Sequence, residues 1–174
     1  MRLGVRLGKL VSLDPNYDPL VWPDREVARE VIAEILLYVS VVKPSLEDAR
    51  RHFDPNLDDA IEGVCLDAFH YLGADVVVMT RSGGLVTVSD GSSVERVGPL
   101  PRVRVENVTG ARDARDAFGP ALLIAHLDGR SREECVRFAH EVATLKLGLE
   151  GHVERMIDRE ALYGRLDTPA EQQA

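Results

Sequence analysis

The stretch Asn107-Val-Thr-Gly-Ala-Arg-Asp-Ala-Arg-Asp-Ala-Phe-Gly-Pro120 joins an alternating run typical of a strand, Val103-Arg-Val105, to an apolar run typical of a helix, Ala121-Leu-Leu-Ile-Ala125. A Thr-Gly-Ala loop before a helix offers free backbone N–H groups and the positive end of the helix dipole, which bind phosphate or another anion. Asp113 and Asp116 lie at this junction, where a carboxylate can take a proton from a hydroxyl that attacks a bound phosphate. The simpler interpretation is that Asp116 only caps the helix.

Pro120 indicates where this helix begins. Proline lacks an N–H group, so it is tolerated in the first turn of a helix, whereas in the interior it costs roughly 3 kcal/mol. A start near Asp116 places Pro120 at the end of the first turn, and a start at Asp113 places it in the interior. The sequence therefore favours Asp116 as the residue at the helix entry. Ala111-Arg-Asp113 is repeated as Ala114-Arg-Asp116, and the second copy resembles an insertion between loop and helix.

The composition predicts one globular domain, over residues 1–166, followed by a polar tail over 167–174. The chain has 174 residues, of which 45% are hydrophobic and 29% are charged, and its net charge is −8. This charge argues against a general nucleic-acid binder, and no run is typical of a signal peptide, a transmembrane helix or a membrane-surface helix. Cys65 and Cys135 fall on apolar helix faces, which favours core thiols in a reducing, cytoplasmic setting.

The remaining chain alternates strand and helix patterns. Ser45 with Asp48, and Ser131 with Glu134, have the spacing of capping boxes, and Asp90-Gly91 predicts a hairpin turn. Hydrophobic periodicity and turn residues predict strands at 10–13, 38–42, 74–79, 85–89 and 94–97, and helices at 23–37, 57–72, 116–127, 131–147 and 153–166, with a short helix after Ser45.

This alternation predicts a three-layer αβα sandwich with a mostly parallel sheet. In such sheets, ligands bind beyond the carboxyl ends of the strands. The loops at 14–18, 43–47, 80–84 and 107–116 are therefore expected to converge on one edge of the sheet and form a site.

In order and spacing, several pieces resemble the C-terminal half of the ribokinase-like (PfkB-type) carbohydrate kinases. The resemblance extends from about Leu13 to Gly151 and implies a ribokinase-like fold that is truncated at its N-terminal side. The pieces are Asp14-Pro-Asn-Tyr17, Val41-Val-Lys-Pro-Ser45 with Glu47, Val76–Gly84 with Asp90-Gly91, Thr109-Gly-Ala111 with Asp116-Ala-Phe118, and the spacing from Asp116 through Gly129 to Ser131–Ala139.

The resemblance implies an enzyme that transfers the γ-phosphoryl group of ATP to a sugar or similar alcohol, with Mg2+ as the metal. It implies Asp116 as the catalytic base, or Asp113 in the upstream register, and Glu47 near the metal. Asn16 and Asp14 would contact the substrate. The nucleotide would lie against residues from several loops and one helix, namely Lys43, Ser45, Thr80, Arg81, Gly84, Thr109, Gly110, Ala111, Arg112, His140 and Thr144.

Four departures from the family pattern define an alternative. Arginine is frequent in the family where Asp18 stands, and glycine is usual where Arg81 stands and where Arg112, or Arg115 if the insert is skipped, stands. The family's N-terminal half, which supplies most sugar contacts and a lid, has no counterpart in the matched stretch. The alternative is a catalytically inactive module that binds nucleotide or associates with itself. In either case the truncated sheet predicts a homodimer or a larger homo-oligomer.

Overall fold

The computed structural model describes residues 1–53, 62–81, 83–98, 100, 108–147 and 159–166. The chain divides into two compact units, Met1–Pro99 and Leu100–Ala174. The first unit contains α1 (Arg2–Arg6), β1 (Ser12–Leu13), α2 (Arg25–Leu36), β2 (Val41–Val42), α3 (Leu46–Phe53), α4 (Glu62–Tyr71), β3 (Val76–Thr80), β4 (Val86–Ser89) and β5 (Val94–Val97). The second contains α5 (Val108–Leu127), α6 (Arg132–Leu147) and α7 (Arg159–Leu166). The single domain over 1–166 stays a prediction.

The five strands form one sheet in the order β1-β2-β3-β4-β5. β1 pairs with β2, and β2 with β3, in parallel, with Ser12 opposite Val41 and Val41 opposite Val76. β3 pairs with β4, and β4 with β5, in antiparallel registers. The sheet is therefore mixed, and the expectation of a mostly parallel sheet is wrong, because the chain turns back at β4 and again at the Asp90-Gly91 hairpin. The three-layer arrangement stays a prediction.

The core of the first unit lies between the sheet and helices α2, α3 and α4. Leu36, Phe69, Val77 and Met79 are buried there, together with Cys65. Burying a side chain of this size stabilises the fold by about 1.5–3 kcal/mol. The alternate positions Val78, Val86 and Val88 are also buried, so both faces of the central strands are covered, as the continuous apolar run predicts.

Local capping fixes the helix ends where the sequence predicts them. The backbone N–H of Asp48 donates to Ser45 Oγ at 3.0 Å, and that of Ser45 donates to Asp48 Oδ2 at 3.3 Å. Ser131 and Glu134 form the same reciprocal pair at 2.8 and 3.3 Å. Gly73 has a φ of +113° where α4 ends, a conformation that favours glycine.

The helix of the central stretch differs from the prediction. α5 begins at Val108 and contains Pro120 in its interior, so a start near Asp116 is wrong. The residues from Thr109 to Asp116, predicted as a loop, are helical. Alanine and arginine are strong helix formers, and they carry the helix through the repeated Ala-Arg-Asp segment. Their helix propensity outweighs the cost of a proline in the helix interior. Pro120 lacks an N–H group, so the carbonyl of Asp116 has no intrahelical donor.

Some predicted positions differ or lie outside the described residues. Val27 and Val64, which the apolar periodicity of their helices places on buried faces, are exposed. The strand at Val103–Val105, the start of the helix predicted from Leu57 and that of the helix predicted from Val153 lie outside the described residues. Among the residues that the structure describes, no helix is both long and apolar enough to cross a membrane.

Candidate active site

The first two parallel strands end in an ion pair. Asp14 follows β1 and Lys43 follows β2, and the Lys43 Nζ lies 2.7 Å from Asp14 Oδ2. The backbone N–H of Lys43 donates to the carbonyl of Leu13 at 2.8 Å, which continues the strand pairing to this point. Only 10% of the Lys43 side chain is exposed. Asp14 Oδ1 is buried without a hydrogen-bond partner among the described residues, so this carboxylate retains capacity to accept one more donor.

The ends of β2 and β3 meet two residues beyond Lys43. Ser45 and Thr80 form an isolated parallel bridge, and the backbone N–H of Thr80 donates to the carbonyl of Pro44 at 3.1 Å. Glu47 lies in the first turn of α3, exposed, with its Oε1 3.1 Å from Arg51 Nε. Polar side chains of three of the four predicted loops, at 14–18, 43–47 and 80–84, are thus at one edge of the sheet. The convergence of the fourth segment, 107–116, on this edge stays a prediction.

Arg81 links this edge to a buried carboxylate. Its Nη1 lies 3.6 Å from Oε2 of Glu62, the first residue of α4. Arg96 of β5 donates to the same oxygen from Nη2 at 3.1 Å, and Thr87 of β4 donates to Glu62 Oε1. The side chain of Glu62 is 6% exposed. One buried carboxylate therefore ties the turn after β3 to the two antiparallel strands.

Backbone geometry shapes two of the predicted positions. Gly84 has a φ of +77° in the turn between β3 and β4, a conformation that glycine adopts without steric cost. Asn16 has a φ of +41°, and is the one non-glycine residue with positive φ among those described. Asparagine tolerates this left-handed region better than most residues.

The other predicted residues belong to the second unit. Thr109, Gly110, Ala111 and Arg112 lie in the first turns of α5, with Asp113 next; their side chains lie outside the described part of the structure. Asp116 lies further along the same helix and is exposed, whereas Phe118, two residues later, is buried.

His140 and Thr144 stand one turn apart on α6 and are half-buried. Residues four apart lie on the same face of a helix. The Oγ1 of Thr144 is buried without a hydrogen-bond partner among the described residues. An orphaned hydroxyl beside a histidine is suited to accept or donate a hydrogen bond to a polar ligand.

Burial shifts the pKa of several groups in the described chain. Burial lowers the pKa of His52 to about 4, with the charges of Arg29 and Arg25 as further causes. Burial likewise raises the pKa of the Cys65 and Cys135 thiols, both of which are free. Hydrogen bonds from Ser131 lower the pKa of Glu134 in its capping box. The neutral thiols are consistent with core cysteines and do not indicate nucleophiles.

A groove of about 410 Å³ lies away from the strand ends. It is formed by α2, α3 and α4, and none of the predicted site residues lines it: its walls are Glu26, Arg29, Glu30, Ala33, His52, Phe53, Ala68, Tyr71 and Leu72. We therefore place the candidate site at the polar strand ends, where charged and hydroxyl groups converge.

Glu62 and Arg96 are absent from the prediction made from sequence. Glu62 shares a helix face with Cys65, Leu66 and Phe69, at spacings of three, four and seven residues. A charged residue on an apolar stripe needs a buried partner, and this was the signal available for Glu62. Arg96 gave no comparable signal, because its role depends on the pairing of β4 with β5.

Comparison with known proteins identifies relatives along most of the chain. The model for the pfkB family of carbohydrate kinases matches residues 6–157. An ATP-dependent 6-phosphofructokinase of Thermoanaerobacterium thermosaccharolyticum is 27% identical over 158 residues, which cover 91% of this chain and 47% of that protein. A cytidine kinase of Thermococcus kodakarensis is 30% identical over 136 residues, which cover 78% and 46%.

The fold is also that of solved members. The structure of a putative ribokinase II from E. coli, in complex with ATP and Mg2+, superposes with a TM-score of 0.76 at 18% identity and covers 95% of this chain and 51% of that one. The fold is accordingly α/β and ribokinase-like. The chain spans about half the length of the curated relatives it matches.

Proposed function

The chain belongs to the pfkB family of carbohydrate kinases, and from this premise we propose that it transfers the γ-phosphoryl group of ATP to a hydroxyl of a sugar or similar alcohol. The observation that carries the proposal is the polar edge of the sheet, where Asp14, Lys43, Ser45, Thr80 and Arg81 follow three parallel strands. Ligands of α/β sheets bind at edges of this kind. The matched stretch corresponds, in this proposal, to the C-terminal half of the family fold.

Each group at this edge has a proposed role. The hydroxyls of Ser45 and Thr80, with Arg81 and the glycine turn at Gly84, bind the phosphates of the nucleotide. Asn16 and Asp14 bind the acceptor, because the free oxygen of Asp14 accepts a hydrogen bond from a hydroxyl group. Lys43 takes part through Asp14, since its ammonium group already contacts that carboxylate.

The residues present fit Mg2+ with Glu47 as a protein ligand. Mg2+ is usually held by one or two carboxylates together with phosphate oxygens and water, and the carboxylate of Glu47 is exposed two residues after Ser45. Its contact with Arg51 is an exposed pair within one helix, which costs little to exchange. When bound, the metal supplies positive charge to the phosphate oxygens.

We assign the general base to Asp116. Its carboxylate takes the proton of the attacking hydroxyl, whose oxygen bonds to the γ-phosphorus while the bond to the β,γ-bridging oxygen breaks and releases ADP. Pro120 does not support this assignment, because it lies inside α5. The support is the Asp116-Ala-Phe118 run on which the family resemblance rests, since the side chain of Phe118 is buried. Thr109, Gly110, Ala111 and Arg112 supply the anion-binding helix start, and His140 with Thr144 the adenine pocket.

One observation favours an alternative function, a catalytically inactive module that binds nucleotide or associates with itself. Because α5 begins at Val108, its free N–H groups belong to residues 108–111. Asp116 stands five residues beyond Ala111, which is about 7.5 Å along the helix axis. This separation weakens cooperation between the anion-binding N–H groups and the proposed base.

Release of ADP from Mg-ATP, measured with a panel of sugars and related alcohols, separates the two functions. The kinase proposal predicts ADP release that depends on one acceptor and is absent without it. Nucleotide binding by calorimetry, combined with no release for any acceptor, would favour the inactive module.

A further inference from the structure

Two arginines, Arg81 in the turn after β3 and Arg96 in β5, contact the same carboxylate. Both Arg81 Nη1 and Arg96 Nη2 contact the same oxygen, Glu62 Oε2, at 3.6 and 3.1 Å. Arg96 adds a second contact from Nε at 3.3 Å. The two guanidinium groups are therefore neighbours, although Arg81 lies in the turn after β3 and Arg96 belongs to β5.

Both oxygens of the carboxylate between the two arginines already have partners. Glu62 is buried, its Oε1 accepts from Thr87, and its Oε2 serves both arginines. Among the described residues, no second carboxylate forms an ion pair with Arg81 or Arg96. Glu95 precedes Arg96 in β5, where side chains alternate between the two faces of the sheet. Two positive charges and one negative charge leave the cluster with a net charge of +1, on a chain whose net charge is −8.

This excess charge faces outward. The Arg96 side chain is 56% exposed and that of Arg81 is 23% exposed, whereas Glu62 is 6% exposed. Arginine has five N–H donors in a fixed planar array, and the contacts with Glu62 use only some of them. The buried carboxylate thus fixes the orientation of the guanidinium groups and leaves donors directed away from it.

We propose that Arg81 and Arg96, oriented by Glu62, form a binding site for a phosphate-bearing anion. A guanidinium group binds phosphate oxygens through two parallel hydrogen bonds. Two adjacent guanidinium groups therefore match a diphosphate better than they match a ligand with a single carboxylate. Arg81 directly follows Thr80, at the sheet edge described above. That the anion is the polyphosphate chain of ATP rests on the proposed function; the anion site itself does not.

Calorimetry with the full chain tests the site, with pyrophosphate, Mg-ATP and adenosine as separate probes. Arg96→Gln removes one guanidinium at an exposed position and should weaken binding of pyrophosphate and Mg-ATP by the same factor, about tenfold. Adenosine lacks phosphate, so its affinity should not change. Arg137→Gln is the matched control, because Arg137 is a comparably exposed arginine paired with Glu133 at 2.7 Å.

A second variant guards against loss of folding. Arg96→Lys keeps the charge but loses the two-pronged contact, so it should weaken pyrophosphate binding by about threefold. Wild-type protein that binds no pyrophosphate at millimolar concentration would overturn the proposal, and so would Arg96 variants that bind it as tightly as Arg137→Gln does. Binding that depends on Arg96 without transfer to any sugar would support the anion site while refuting the kinase.

Discussion

At the scale of single residues, two carboxylates of α5 compete for the role of general base. We predict that Asp116→Asn lowers the rate of phosphotransfer by about 10²–10⁴-fold, the usual effect of removing a general base, and leaves nucleotide affinity nearly unchanged. Asp113→Asn should have a smaller effect on the rate. Coupled ADP-release kinetics and calorimetry measure the two quantities. The reverse ranking would favour the upstream register, with Asp113 as the general base.

His52 makes stability depend on pH. Its pKa is about 4 in the folded chain, against an ordinary value of 6.5 for a solvated histidine, so between these values the unfolded state binds more protons than the folded state. The contribution of His52 to the free energy of unfolding is therefore complete above about pH 6.5. It is lost as the pH drops towards 4, which lowers the free energy of unfolding by up to about 3 kcal/mol. Denaturant unfolding at a series of pH values measures this dependence.

Two variants isolate that contribution. In His52→Leu, the part of the slope between pH 6.5 and 4 that is due to His52 should disappear, because no imidazole remains to be protonated on unfolding. In His126→Gln, at an exposed position, the slope should persist. An unchanged slope in His52→Leu would show that other groups cause the dependence.

Features whose determinant is local could be predicted from single residues. Both capping boxes, at Ser45 and Ser131, have the reciprocal hydrogen bonds that their spacing predicts. The role of Arg96 could not be predicted in this way, because its partner Glu62 is distant in sequence and becomes its neighbour only through the pairing of strands. The contact of Lys43 with Asp14 was also not predicted, because it depends on the parallel register of β1 and β2.

At the scale of elements, Pro120 should weaken α5. An interior proline removes one backbone hydrogen bond and costs roughly 3 kcal/mol, of which about 0.4–1 kcal/mol is recovered through the reduced entropy of the unfolded chain. We therefore predict that Pro120→Ala raises the free energy of unfolding by about 2 kcal/mol, measured by chemical denaturation.

Pro19 provides a comparison outside any helix or strand. Pro19→Ala restores no helical hydrogen bond and should leave stability equal or slightly lower. If Pro120→Ala were as neutral as Pro19→Ala or destabilising, the continuous helix from Val108 would be in doubt.

Hydrophobic periodicity and turn residues predicted the presence of each helix or strand better than the residues at which it begins and ends. The hairpin at Asp90-Gly91, helices α2 and α6, and the end of α4 close to residue 72 all agree with the sequence analysis. The strands at 10–13 and 38–42 are shorter than predicted, since only two residues of each enter the ladder. The start of α5 could not be predicted from Pro120, because the helix-forming residues before it outweigh the local penalty.

At the scale of the whole molecule, exposed apolar groups and an edge strand favour association. Among the described strands, β1 is an edge of the sheet, and Leu3, Leu7 and Leu20 are 66%, 61% and 92% exposed. Edges and apolar patches of this kind are sites of pairing between chains. We predict a homodimer or larger homo-oligomer by light scattering, whereas a mass of 19.2 kDa that does not change with concentration would contradict it.

The proposed transfer of a phosphoryl group to an alcohol, by a chain that spans about half the length of the curated relatives it matches, can be measured directly. The most direct measurement supplies ATP with a radioactive γ-phosphorus, Mg2+ and each acceptor in turn, and separates the products by chromatography. We expect label in a sugar phosphate in amounts equal to the ADP formed, and loss of that product in Asp116→Asn. Label that stays in ATP, or is recovered only as inorganic phosphate, would contradict it.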